Sequence, residues 1–181
     1  MSKFITEKNI YLRPFIDEDV DLLFEGLNDE TVRETLFTFR PKTKHELLEE
    51  YRKDSSNPNT ILFTICELDS GKAVGITAFY RVDYVSRAAV FFIAIYDTSK
   101  WNSGYGTQAT RLMIKYAFDV LNLNRIQLHV ALENTKAVEI YKKCGFVVEG
   151  TLRQAMYHHN RYVDFYVMGI LRNEYYSNKN S

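Results

Sequence analysis

Trp101-Asn102-Ser103-Gly104-Tyr105-Gly106-Thr107-Gln108-Ala109 decides how this chain is read. Before it runs Val90-Phe91-Phe92-Ile93-Ala94-Ile95, continuous and apolar, the pattern of a buried strand. After it, Leu112, Met113, Tyr116, Ala117 and Val120 recur at steps of one, three and four. That spacing predicts a helix over Ala109 to Leu121 with one wide apolar face. Two glycines, Gly104 and Gly106, therefore sit between a strand and a helix start. Glycine lets the backbone come close to a ligand, and the first N–H groups of a helix have no partner inside it. The helix dipole adds a preference for negative charge, so the turn is a candidate seat for phosphate or pyrophosphate. The competing reading is a plain connecting loop.

The rest of the chain narrows the function classes. Its 181 residues suit one domain with a full-sized core, residues 1–181. Hydrophobic residues make up 46%, including 13 Tyr and 12 Phe, which excludes a disordered chain. Lys plus Arg equals Asp plus Glu at 23 each, so no basic footprint points to nucleic acid. Cys66 and Cys144 are too few for a disulfide framework and have no metal-ligand spacing; no metal is expected, and both read as thiols of a reducing compartment. The segment from Met1 to Glu7 lacks the apolar core of a secretion signal, and no apolar run is long enough to cross a membrane. A cytoplasmic protein is expected.

Working outward from the glycine turn, Arg87 to Ile95 is the strand that delivers the chain to it. Thr60 to Glu67 and Ala73 to Val82 flank Asp69-Ser70-Gly71-Lys72 and predict a hairpin. Upstream, Ile10 to Pro14 reads as a first strand. Asp17 is a candidate cap for a helix carrying Val20, Leu22, Leu23, Phe24 and Leu27. One or two helices fill residues 29 to 53, broken near Arg40-Pro41. Downstream come a strand over Arg125 to Val130, a helix from Asn134 to Cys144 stopped by Gly145, and a closing hairpin, Phe146 to Met156 and Arg161 to Leu171, around His158-His159-Asn160. The polar tail, Tyr175 to Ser181, reads as loose. Strands meander in the middle and alternate with helices late, which gives a mixed α+β class.

Gly104-Tyr105-Gly106-Thr107-Gln108-Ala109 fits the dinucleotide fingerprint G-x-G-x-x-A. Yet eight residues separate it from Ile95, and no acidic residue ends the next strand where a ribose would be held. A second reading covers more residues. Trp101-Asn102-Ser103-Gly104-Tyr105-Gly106 matches Q/R-x-x-G-x-G/A except at its first position, and Asn134 to Phe146 matches N-x-x-A-x-x-x-Y-x-x-x-G-F throughout. In both motifs the chain resembles the GNAT superfamily of N-acetyltransferases, in particular the ribosomal-protein-alanine and spermidine N-acetyltransferase subgroup. The resemblance implies one domain built on a mixed, mostly antiparallel seven-stranded sheet flanked by helices. It implies acetyl-CoA as cosubstrate, an amine-bearing acceptor attacked directly without an enzyme thioester, and allows a homo-oligomer.

Site residues follow from the same resemblance. Trp101, Asn102, Ser103, Gly104, Tyr105, Gly106 and Thr107 would cradle the pyrophosphate of coenzyme A. Phe92, Ile93, Ala94 and Ile95 would pair through their backbone with the pantetheine arm, a form of strand addition. Asn134 and Ala137 would adjoin the cofactor, although Asn134 is equally a helix cap. Tyr141 would protonate the departing thiolate; a core aromatic is its ordinary reading. The general base stays open: relatives often have Glu where Val90 stands, leaving His129, Glu133, Glu30, Glu34 or water. The basic segment Thr38-Phe39-Arg40-Pro41-Lys42 stands where spermidine enzymes carry carboxylates, which points away from a polyamine and toward an anionic or peptide acceptor. A non-catalytic acyl-CoA-binding module and a dinucleotide-dependent oxidoreductase are the alternatives.

Overall fold

A computed structural model describes residues 2–179. β1 (Ile5–Glu7) and β2 (Ile10–Pro14) form a small hairpin, followed by α1 (Val20–Asn28), α2 (Glu30–Leu36) and α3 (Lys44–Ser56). A meander follows: β3 (Ile61–Glu67), β4 (Ala73–Asp83) and β5 (Ala88–Ile95). Then come α4 (Tyr105–Lys115), β6 (Arg125–Ala131), α5 (Thr135–Lys143), β7 (Val147–His158), β8 (Arg161–Leu171) and α6 (Arg172–Lys179). One sheet of eight strands holds them in the order β1-β2-β3-β4-β5-β6-β8-β7. Every pairing is antiparallel except β5 with β6.

The eighth strand is β1, which sequence reading misses. Its three residues are too short to show a period and exist because Ile5 pairs Leu12 and Glu7 pairs Ile10. The tail also differs from expectation. Residues up to Lys179 continue as α6, whose Tyr175 packs on Phe118 at 5.2 Å while the Tyr176 hydroxyl donates to Asp119 at 2.8 Å. Asn180 and Ser181 lie outside the described residues. The helix after the glycine turn begins earlier than periodicity implies, at Tyr105, and its last turn, Tyr116–Val120, is a π-helix.

Alternation along the strands builds a core on each face of the sheet. Phe63, Ile65, Phe91, Ile126 and Leu128 bury one face against Ala109, Leu112 and Met113 of α4. Leu62, Ile76, Ala78 and Ala94 bury the other against Leu23, Val32, Leu47 and Tyr51 of α1 to α3. Asp17 does not cap α1. Asp19 begins that helix instead, buried, with both carboxylate oxygens held by the Arg13 guanidinium at 2.7 Å and one also accepting from the Thr64 hydroxyl at 2.6 Å. That charge pair raises the Arg13 pKa despite burial, through the hydrogen bonds from its guanidinium to Asp19. It ties β2 and β3 to the entry of α1. Among the described residues, no helix is long and apolar enough to cross a membrane.

Candidate active site

β5 and β6 run parallel only from Ala88↔Arg125 to Val90↔Gln127, where their register ends. Beyond that point the strands part, and a cleft of about 580 Å³ opens between Phe91–Ile95 and Leu128–Ala131. α4 and α5 start at its mouth. A larger hollow of about 720 Å³, an open depression lined by Asp54, Tyr80 and Tyr84 among others, is touched by none of the signature residues.

The glycine turn is shaped as its residues imply. Gly104 has φ 81°, a left-handed conformation, and serves as the N-cap of α4. Its carbonyl accepts from the Gln108 amide at 3.0 Å. The N–H groups of Tyr105, Gly106 and Thr107 precede that first bond and face the mouth without a helical partner. A Cβ placed on Gly106 would meet nothing within 4 Å, so that glycine leaves open space in front of the turn. Asn102 is left-handed too, at φ 63°.

Side chains brace this turn from behind. Glu67 of β3 accepts from Lys100 at 2.6 Å, from the Tyr105 hydroxyl at 2.8 Å and from Ser70 at 2.8 Å. Those three donors hold its carboxyl down to about 2. The Trp101 indole N–H donates to the Ile95 carbonyl at 2.9 Å, which answers a backbone acceptor at the end of β5. On the opposite side the Asn134 carboxamide caps α5, accepting from the Ala137 amide at 3.2 Å. The capping reading of Asn134 therefore holds. Lys136 reaches across to Asn102 at 3.5 Å.

All but one of the residues expected at a cofactor line the cleft: Phe92 to Ile95, Trp101, Asn102, Gly104 to Thr107, Asn134 and Ala137. Ser103 does not; it is exposed within the turn. Tyr141 lines it too. Its ring packs against Phe146 at 5.8 Å and Phe91 at 6.3 Å, and its hydroxyl has no hydrogen-bond partner among the described residues. Burial, with a smaller contribution from the Cys144 thiol, raises the phenol above its ordinary 10.0.

The candidates for a base are sorted by position. His129, exposed on β6, lines the cleft. Glu133 is turned to Arg161 at 2.5 Å, Glu34 pairs with the histidines of the β7–β8 turn, and exposed Glu30 does not line the cleft. Arg40 and Lys42 do not reach it either, being paired with Glu46 and Glu50 of α3 at 3.0 and 2.5 Å. Neither cysteine lines the cleft.

Sequence reading missed two groups. Lys100 and Lys136 line the mouth beside the glycine turn; Lys100 immediately precedes the first motif and Lys136 fills an unspecified position of the second. Leu36, Phe37, Met156 and Phe165 line the far end. The first two lie at the end of α2, more than a hundred residues before the other two on β7 and β8, and only the fold brings them together.

Comparison with known proteins places this geometry. Residues 9–147 match the family model described as acetyltransferase (GNAT) domain. A spermidine N(1)-acetyltransferase of Vibrio cholerae is 33% identical over 135 residues, 75% of this chain and 78% of that protein. Its Escherichia coli counterpart is 32% identical over 167 residues, covering 92% and 88%. Among solved structures, spermidine N-acetyltransferase from Vibrio cholerae in complex with CoA and spermine superposes with a TM-score of 0.86 at 29% identity, over 93% of this chain and 98% of that one. This chain therefore belongs to the GNAT family and is an acetyl-CoA-dependent N-acetyltransferase.

Proposed function

We propose that the enzyme acetylates a primary amine carried on an uncharged, apolar body, such as a hydrophobic amino acid or the N-terminal residue of a peptide. The carrying observation is the chemistry of the cleft: no Asp or Glu is among the residues that line it, while Leu36, Phe37, Met156 and Phe165 close its far end. A polycation placed there would lose water without gaining an opposite charge. Spermidine is the second reading, favoured by the names of the relatives.

In this reading the free N–H groups of residues 105 to 107 hold the pyrophosphate, with Lys100 and Lys136 adding positive charge at its flanks. The open edge of Phe92–Ile95 bonds the pantetheine amides and aims the thioester between β5 and β6. The amine nitrogen attacks the thioester carbonyl carbon, and His129 takes its proton, directly or through one water. Collapse of the tetrahedral adduct breaks the C–S bond, and the Tyr141 hydroxyl protonates the departing sulfur. Burial raises the phenol's pKa, so it holds its proton until the thiolate forms beside it.

We read residues 1–181 as one catalytic domain. The free thiols Cys66 and Cys144 suit a reducing compartment, and we place the enzyme in the cytoplasm on that ground. Self-association belongs to the same reading, since β7 lies exposed along the outer edge of the sheet with Val147, Leu152 and Tyr157 uncovered. The test of the acceptor is a panel of spermidine, hydrophobic and acidic amino acids, and short peptides, read by free thiol release. Highest kcat/KM for an apolar amino acid or peptide is the expected result; spermidine at the top would overturn it.

A further inference from the structure

The β7–β8 connection turns on His159 and Asn160, both left-handed at φ 48° and 60°. A two-residue turn of that kind fits the twist of a hairpin, and it ordinarily takes Asn-Gly. Here the turn folds two consecutive imidazoles onto one side, so that the rings of His158 and His159 lie 4.0 Å apart. Both present Nε2 to the same oxygen of Glu34 on α2. His158 Nε2 stands 3.8 Å from Glu34 Oε2, and His159 Nε2 is in direct contact with it. One ligand atom from each of the three lies within 4.8 Å of the others.

An ion pair between Glu34 and one imidazolium explains half of this. It leaves the second ring aimed at an oxygen already taken, beside a like charge if both rings were protonated. A cation between them removes the conflict, because neutral imidazoles and a carboxylate then all act as donors. We propose that Glu34, His158 and His159 form a binding site for a late first-row divalent cation, zinc foremost.

Two imidazoles and a carboxylate are a donor set suited to zinc, with water free to fill a fourth position. Tetrahedral zinc with bonds of about 2.0–2.1 Å sets its ligand atoms about 3.4 Å apart. The observed spacing reaches that by small rotations of side chains that are partly exposed. The ion would staple α2 to the hairpin tip. Its place at the rim is fixed by Phe37, which lines the cleft and packs against the His158 ring at 4.5 Å. A bound ion would thus steady the acceptor end while standing outside the acetyl transfer itself.

The experiment uses tag-free, metal-stripped protein, titrated with zinc against a chromophoric chelator and separately with cobalt, whose visible spectrum reports a four- or five-coordinate site. One ion per chain is expected. Glu34→Gln, His158→Asn and His159→Asn should each weaken zinc at least ~10-fold. His45→Asn, altering an exposed histidine of α3 paired with Glu49, should bind as the parent does. Melting temperature without metal shows which variants are folded, and any one of the three ligand variants suffices. No uptake at equimolar zinc overturns the proposal. So does uptake that a folded Glu34→Gln variant leaves unchanged, since the paired histidines would then be chelating alone.

Discussion

The two ends of the cleft are made of different material. At the end we propose for the pyrophosphate, the cleft offers backbone: a left-handed glycine, a helix start with three free amides, and a strand edge without a strand partner. At the end we propose for the acceptor it offers side chains, Leu36 and Phe37 at the end of α2, Met156 on β7 and Phe165 on β8. Backbone geometry recognises any molecule bearing the same handle, and side chains decide what comes to meet it. A family could therefore keep one end while exchanging the other.

The sharpest way to probe the boundary between the two ends is Tyr141, which stands between them. Tyr141→Phe removes a hydroxyl with no hydrogen-bond partner among the described residues, so the melting temperature should hold. kcat should fall ~10²–10⁴-fold if that hydroxyl is the acid, with the KM for acetyl-CoA little changed. A fully active Phe variant would reduce Tyr141 to a packing residue. In the parent enzyme the raised phenol pKa has a consequence of its own. The acid form persists above the ordinary titration near pH ~10, so kcat should show no alkaline fall there attributable to Tyr141.

The next largest effect belongs to the turn. Gly106→Val places methyl groups in space that is open in the free protein. Stability should hold while the KM for acetyl-CoA rises ~10–100-fold, the loss of one or two charge-assisted hydrogen bonds. Gly104→Val should add a loss of stability of ~1–3 kcal/mol, because its φ of 81° disfavours a β-branched residue. Equal acetyl-CoA kinetics in a folded Gly106→Val enzyme would break the comparison at its firmer end.

Phe37→Ala tests the other end. Its ring packs on Phe165 at 5.2 Å and faces the cleft, so acceptor KM should rise ~5–10-fold, matching ~1–1.4 kcal/mol of lost apolar contact, while that for acetyl-CoA stays. A rise in both would mean that the ends are not separable.

Glu67→Gln should act more gently, raising the KM for acetyl-CoA a few-fold by loosening Lys100 and Tyr105. Its carboxyl is held below the ordinary 4.5 at about 2, so its stabilising contribution is present above pH 4.5 and is lost as pH falls through about 2. The difference in melting temperature between parent and variant should accordingly be full near neutrality and shrink across that window. The smallest effect is expected of Arg40→Gln with Lys42→Gln. Both residues are paired with α3 carboxylates outside the cleft, and the acceptor profile should not move.

The unequal ends also explain what could be read from residues alone. Gly104 and Gly106 advertise a backbone requirement within one short segment, and Asn134 to Phe146 repeats a fixed spacing along one helix, so local chemistry exposes both. His129, Glu133 and the α2 carboxylates could not be ranked as bases, because only the folded arrangement around the splay of β5 from β6 decides which side chain meets the cleft. Arg40 and Lys42 looked like acceptor determinants until α3 supplied Glu46 and Glu50 to neutralise them. Three residues of β1 exist only through β2. Each of these depends on partners remote in sequence, and no local period records them.

The seam between β5 and β6 has one more consequence. β6, β8 and β7 join the remaining strands through three residue pairs, Ala88–Val90 with Arg125–Gln127. Past those pairs the sheet has two raw edges facing inward, each a row of donors and acceptors that could template another chain. In the binding mode we propose, coenzyme A seated between them would work as mortar as well as reagent. Bound cofactor would then also shield those edges from neighbouring chains.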